Sequence, residues 1–432
     1  MWKRQFCDIR HMNNNNFFRL PALFFLLIFS LSLQAQIITL TGEDLKPLQG
    51  KQTGLYSFFS VQDGKLQPVP HQWVQWSEEG FPFFEEDGST HLAGDPARID
   101  AADRLLLRFE DGGTALTNST SEQVAAELAV QQGGETRLFY LVKNAYLQST
   151  ERYVQFDPDT LTIKSTDFAL TMADRNLFKW SDFYFRGFKG ENGQRQSILD
   201  TLKLRLSAGI FGEGNRITLS NDNLDPKVKE VISGPLAAMV YASTSVKVAR
   251  VPVLRIHNYF LVMPQQVEIH SRFTLPGIAD TVLERPALDI SLDGNGLYNS
   301  KLVTSWTGNH VAITDGKLSK AEQAMLKMPL QGDNWIWFGT GRGFDMLAQL
   351  AFVKGFNTPA KLLYQDDANQ INEPERFAGQ LPNVGFSLTE LPFGEEFYFI
   401  TRLYYSKDSN GQGPGEYAQT MLATPRTSLT VK

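Results

Sequence analysis

The chain has 432 residues, 42% of them hydrophobic and 12% aromatic, and a formal net charge of −6. That mild acidity, with no cluster of Lys and Arg, argues against nucleic acid, whose phosphates need clustered cations. The single cysteine, Cys7, excludes an intrachain disulfide, and downstream of it there is no thiolate nucleophile, cysteine metal ligand or C-x-x-C-H haem site.

Residues 1–35 read as a secretion signal. Lys3, Arg4, Arg10 and Arg19 precede an apolar run over 20–33, and cleavage is expected after Ala35, with Met12 as an alternative start. The run is fourteen residues, against ~20 for a helical membrane span. No transmembrane helix is therefore expected once the leader is removed. Cys7 leaves with the leader, and Gln34 and Gln36 stand where a lipobox would need cysteine. The mature chain, at about −9, is expected to be exported: periplasmic, cell-surface or secreted.

From Gln36 onward the fold class is expected to be mainly β: two or three antiparallel β-sandwich-like domains with few short helices, divided at 36–145, 146–285 and 286–432. Strand-like runs recur at 138–142, 202–206, 246–253, 259–262, 267–273, 335–338 and 397–405. Asp63-Gly64, Asp87-Gly88, Asp293-Gly294 and Asp315-Gly316 punctuate them as turns. Residues 121–130 fit helix or strand.

In the first segment, Pro68-Val69-Pro70-His71-Gln72-Trp73 is followed by an acidic loop and then by Ile99-Asp100-Ala101-Ala102-Asp103-Arg104-Leu105-Leu106-Leu107. Residues 60–110 thereby resemble the N-terminal module of a group of uncharacterised secreted bacterial proteins. Those pair an IPVQVDE-type strand with a FDANDELVF-type strand. His71, Trp73 and Arg104 depart from the pattern. The resemblance implies a β-sandwich-like module and carries no catalytic residue across. The acidic segment Glu85-Glu86-Asp87 with Asp95, Asp100 and Asp103 invites a calcium reading, since hard cations take oxygen ligands. Pro96-Ala97-Arg98 break the EF-hand spacing, and a solvated turn is the simpler account. No other cofactor is expected.

Two aromatic–polar clusters suit a glycan, whose rings stack on aromatic faces while amides and charges take its hydroxyls. One holds Gln72, Trp73 and Trp76; the other holds Trp180 and Tyr184, with Arg186 and Lys189 interleaved nearby. The default alternative for most aromatics is the core. Farther on, 266–273 alternates, with Val267, Ile269, Ser271 and Phe273 on one face and Glu268, His270 and Arg272 on the other. That predicts one buried face. A turn near Met263-Pro264 would bring His257 and His270 onto neighbouring strands.

In the last segment, Ser319-Lys320-Ala321-Glu322 predicts a capping box and a helix over 319–328, stopped by Pro329. Gly339-Thr340-Gly341-Arg342-Gly343 lacks the glycine spacing of a dinucleotide loop. The run 344–352 after it is compatible with helix, and 408–414 reads as a surface loop.

No nucleophile elbow or metal-spaced histidine pair appears. The reading favoured by the sequence is an exported, non-catalytic envelope or secreted protein that binds a glycan or an envelope protein through β-sandwich surfaces. One alternative is a carbohydrate-active enzyme, a β-sandwich polysaccharide lyase or glycoside hydrolase, with His257, Tyr259, Arg186 and Lys189 as its candidate catalytic residues. The other is a structural subunit of a surface assembly.

Overall fold

Alternation of buried and half-buried positions runs through Val124–Gln132, and that period of two makes the ambiguous segment a strand. It pairs antiparallel with Glu135–Val142 across Gly133-Gly134 and with the carboxy-terminal strand Arg426–Val431. The protein is a computed structural model that describes residues 36–116, 124–143, 147–190, 193–330, 333–354, 360–369 and 381–432. The expected leader lies outside the described residues.

The fold is mainly β, and the strands pair antiparallel. Among the described residues they form five sheets. Two build the amino-terminal module: a three-stranded sheet of Ile37–Thr41, Arg104–Arg108 and His71–Val74, and a five-stranded sheet centred on Val124–Gln132 and Glu135–Val142. They close on Ile38, Leu40, Phe58, Leu105, Leu128 and Phe139. The Asp63-Gly64 turn joins Ser57–Gln62 to Lys65–Pro68 with positive φ at both residues, the geometry that matches strand twist in a two-residue hairpin.

A nine-stranded sheet dominates the rest. Its consecutive neighbours include Ala238–Val248, Val251–Met263, Gln266–Thr274, Glu396–Ser406 and Asp345–Lys354. One face, carrying Val240, Phe260, Val262, Val267 and Ile269, joins the largest core, to which a five-stranded and a four-stranded sheet contribute. The opposite face, carrying Tyr241, Tyr259, Leu261, Tyr398 and Ile400, packs against Val74, Phe81, Phe84 and Leu106 of the amino-terminal module. The expectation of one buried face for 266–273 is corrected here: His270 and Arg272 are 2% and 8% exposed, because the module covers their side. The boundary expected near 285 falls inside the strand Leu283–Gly294, and both large sheets take strands from either side of it.

Further local expectations change. The run 246–253 is two strands, not one: Ala249 and Arg250 turn with φ of 48° and 70°, a hairpin carried by residues without the usual Asn or Gly signal. The run 344–352 is strand, not helix, because Asp345–Lys354 is paired on both sides, and such pairing overrides local propensity. The glycine loop before it turns one strand into the next, and Asp408 accepts the Gly343 N–H at 3.1 Å.

The capping box forms as read. Ser319 Oγ accepts the Glu322 N–H at 3.3 Å, and Glu322 accepts the Ser319 N–H at 2.7 Å. The helix is shorter than expected, Lys320–Met325. Ser319→Ala is expected to cost about 1 kcal/mol, readable as a lower denaturant midpoint with an unchanged m-value. A second helix, Pro414–Leu422, escaped notice. Gly413-Pro414-Gly415, which opens it, looks like loop, although Pro at the first helical position is itself a start signal. Within 408–414, Ser409 is buried and bonds Asp345 and Trp337.

Candidate functional site

The antiparallel register sets Tyr241 opposite Tyr259, His257 opposite Arg272, and Arg272 opposite Tyr398. All five side chains emerge on the face turned toward the amino-terminal module, as period-two alternation requires. Into them projects Asp87, from the turn that follows Phe84.

Asp87 is 2% exposed and is held from all sides. One carboxylate oxygen accepts from Ser89 Oγ at 2.5 Å and from the Tyr241 hydroxyl at 3.3 Å. The other accepts from Tyr259 in a short hydrogen bond and from Arg272 Nη2 at 3.0 Å. Arg272 Nε donates to the Tyr259 oxygen at 2.7 Å, and its guanidinium lies 4.6 Å over the Phe81 ring. Burial raises the Asp87 pKa. The hydrogen bonds from His257, Ser89 and Tyr259 and the Arg272 charge outweigh it and hold the carboxyl well below the usual carboxylate range. The Tyr241 and Tyr259 hydroxyls are pushed far up, first by burial and then by the neighbouring carboxylate. Both phenols therefore serve as donors rather than bases near neutrality.

His257 joins this buried cluster to solvent. Its Nδ1 is 3.0 Å from the Tyr241 hydroxyl and 3.5 Å from Asp87. Nε2 has no protein partner among the described residues, and the side chain is 20% exposed. A pocket of about 300 Å³ opens beside it, lined by Arg255, His257, Arg272, Thr274, Pro276 and Glu396. Glu396 is tied to Lys354 at 2.8 Å and to Arg272 at 3.4 Å. Arg255 is exposed and has no ion-pair partner among the described residues. The pocket thus offers one guanidinium without an ion-pair partner among the described residues, that of Arg255, and an oriented imidazole, while the Arg272 guanidinium is already engaged by Tyr259, Asp87, Ser89 and Glu396. Such a set binds an anion bidentately and can accept a proton at Nε2.

Of the residues singled out in the sequence, His257 and Tyr259 belong to this cluster. Arg186 and Lys189 lie elsewhere, exposed after the strand Trp180–Phe185, their backbone N–H groups donating to Asp167 and Arg342. Gln72 stitches the module to the sheet: it accepts the Ala237 N–H at 2.8 Å and donates to the Ala237 carbonyl at 3.2 Å. Trp73 packs on the module core, with Nε1 buried and unpartnered among the described residues. Trp76 is half-buried between His270, 6.0 Å away, and the Arg104 guanidinium, 5.0 Å away. Trp180 is 1% exposed. Tyr184 is half-buried beneath Arg195 at 4.1 Å. Asp95, Asp100 and Asp103 cap backbone: Asp100 accepts from Asp95, Ala102 and Asp103, and Asp103 accepts from Asp100. No group of three potential metal ligands is found among the described residues. Asp103 is pushed up to about 6 by burial.

Sequence reasoning passed over Tyr241, Arg255 and Glu396, and it took Asp87 for part of a turn in the acidic segment weighed for calcium. Asp87 was hidden by its own glycine, since Asp-Gly reads first as a turn. Arg272 stood in the alternation, but its partner is 185 residues away.

No family model matches the chain, and no curated protein matches it. Among solved structures, an alpha-mannosidase from Enterococcus faecalis is similar over 92% of this chain and 44% of its own, at 10% identity and a TM-score of 0.49. A glycosyl hydrolase family 38 protein from Enterococcus faecalis is similar over 92% and 46%, at 10% identity and a TM-score of 0.47. Heparan sulfate lyase HepC from Pedobacter heparinus is similar over 60% and 38%, at 11% identity and a TM-score of 0.30. The chain spans less than half the length of each of these proteins.

Proposed function

We propose that this is an exported protein that recognises an acidic carbohydrate at the His257 pocket. The observation that carries the reading is the juxtaposition, around one cavity of about 300 Å³, of Arg255, Arg272 and His257 over a buried Asp87. The exposed Arg255 guanidinium suits the carboxylate of a uronic acid, and the volume suits one sugar unit at the end of a chain. The Asp87 contact fixes the imidazole, so the site is ordered before a ligand arrives and loses less entropy on binding.

The test is titration of residues 36–432 with galacturonate and glucuronate oligomers, and with their neutral counterparts. Arg255→Ala is expected to weaken acidic oligomers about tenfold, the loss of one charge-assisted hydrogen bond. It should leave thermal stability unchanged, because the side chain is exposed. Equal affinity for acidic and neutral oligomers would sink the reading.

Catalysis is the second reading, favoured by the accessible Nε2 of His257. In a uronate lyase that nitrogen would take the C5 proton while an arginine neutralised the carboxylate. The C4–O bond would break, a C4–C5 double bond would form, and the departing oxygen would be protonated by water. Ultraviolet absorbance from the new double bond, lost in His257→Ala, distinguishes turnover from binding alone.

A further inference from the structure

The covered face of the nine-stranded sheet opens at its opposite end into a second pocket of about 320 Å³. Along Gln266–Thr274, Arg272 belongs to the first pocket and Glu268 to the second. Four residues of extended chain, about 13 Å, separate them. Trp76 and Phe81 pack over the intervening His270, Tyr259 and Tyr398, so no open groove joins the two.

The chemistry of this pocket differs. Its polar lining includes Gln132, Gln266, Glu268, Gln349, Arg402 and Tyr404. The two charges neutralise each other: Arg402 Nε is 3.4 Å from Glu268 Oε1. Both are also held in place, Gln266 donating to Glu268 at 2.7 Å and Arg402 donating to Gln349 at 3.0 Å. What remains for a ligand is a set of amides and a phenol, groups that donate and accept together. Tyr404 is kept protonated, since burial pushes its hydroxyl far up.

A second observation points to a ligand. Gln132 is 6% exposed, and its side-chain oxygen is buried without a partner among the described residues, although its Nε2 bonds Gln36. A buried carbonyl oxygen left unpaired is rare; because it has almost no accessible surface, it meets a ligand hydroxyl only when the Gln132 side chain turns toward the pocket.

We propose that this pocket binds a neutral sugar unit, whose adjacent hydroxyls donate to Gln132 and exchange hydrogen bonds with the amides of Gln266 and Gln349. An anion gains nothing here, because the one guanidinium is already paired; a purely apolar ligand would strand the amides. The inference rests on the carbohydrate reading given above, extending it to a second site that prefers uncharged sugar.

The experiment uses residues 36–432, titrated with maltose, cellobiose, lactose and mannobiose, and separately with digalacturonate. Thr39 is exposed and lines the pocket mouth without joining its hydrogen bonds, so Thr39→Trp fills the space and leaves the network intact. One of the neutral disaccharides is expected to bind, with affinity reduced at least tenfold in Thr39→Trp and in Gln349→Leu. Digalacturonate binding should be unchanged in both variants and reduced in Arg255→Ala. Neutral binding that survives Thr39→Trp overturns the proposal, as does neutral binding that vanishes only in Arg255→Ala. If digalacturonate binds while no neutral disaccharide does, this inference fails and the first pocket keeps its role. If none of the sugars binds, both fail. A melting curve for each variant separates loss of binding from loss of fold.

Discussion

Replacing Asp87 with alanine is expected to destabilise the protein by about 3 kcal/mol or more, the loss typical when one partner of a buried ion pair is removed. The reason is what stays behind. Arg272 is 8% exposed, and without Asp87 the one ion-pair partner left to it among the described residues is Glu396, at 3.4 Å, beside neutral hydrogen bonds to Tyr259 and Ser89. Tyr259 and Tyr241 lose their acceptor at the same time. The double replacement Asp87→Leu with Arg272→Met should cost less than the sum of the single changes, because it removes both charges. The same pair predicts the pH response. Asp87 has a depressed pKa when folded, so its stabilisation is fully present above the unfolded value of about 3.9 and is lost progressively as the pH falls below it. Denaturant midpoints between pH 7 and pH 2 should therefore fall for the natural chain and fall less for Asp87→Ala. A midpoint for Asp87→Ala equal to that of the natural chain at pH 7 would mean that the carboxylate holds nothing in place.

The parts of this architecture that were legible in sequence are those written in short-range pattern. Ser319 and Glu322 announce their helix because both caps lie within one turn. Asp63-Gly64 announces its hairpin because positive φ at two adjacent positions selects those residues. Gln266–Thr274 was legible as a strand, but not as one covered on both sides. Its polar face carries residues that would serve equally well at a wet surface, and what covers them is a loop nearly two hundred residues earlier. Asp87 is the clearest case. Within its neighbourhood it is an ordinary turn residue, and only the tertiary fold sets it against Arg272. The Ala249-Arg250 turn stayed illegible for the opposite reason: it carries no sequence signal, and pairing on both flanking strands imposes it. His257 and Tyr259 were found because hairpin pairing around Met263-Pro264 is local. Their acidic partner and the arginines were not.

Trp180→Ala is expected to cost about 3–5 kcal/mol, the range for truncating a large buried aromatic. Its ring lies in the main core, and its Nε1 donates to the Leu177 carbonyl at 3.0 Å, so the truncation opens a cavity and orphans a carbonyl together. Tyr184, on the same strand, points the other way and is half-buried. Strict alternation would set residues 180 and 184 on one face; the β-bulge between Trp180 and Asp182 breaks it, and so divides the aromatic cluster that looked in sequence like a single platform. Trp76 offers the contrast, since it is half-buried at the seam and its replacement by alanine should cost clearly less. The measurement is a pair of denaturation curves alongside sugar titrations at a temperature where each variant is folded. For Trp180→Ala a large drop in midpoint with unchanged affinity is expected, because no lining residue of either polar pocket is Trp180. Weakened sugar binding with an unmoved midpoint would instead make the ring a contact surface, and would require the strand Trp180–Phe185 to open away from the core on binding.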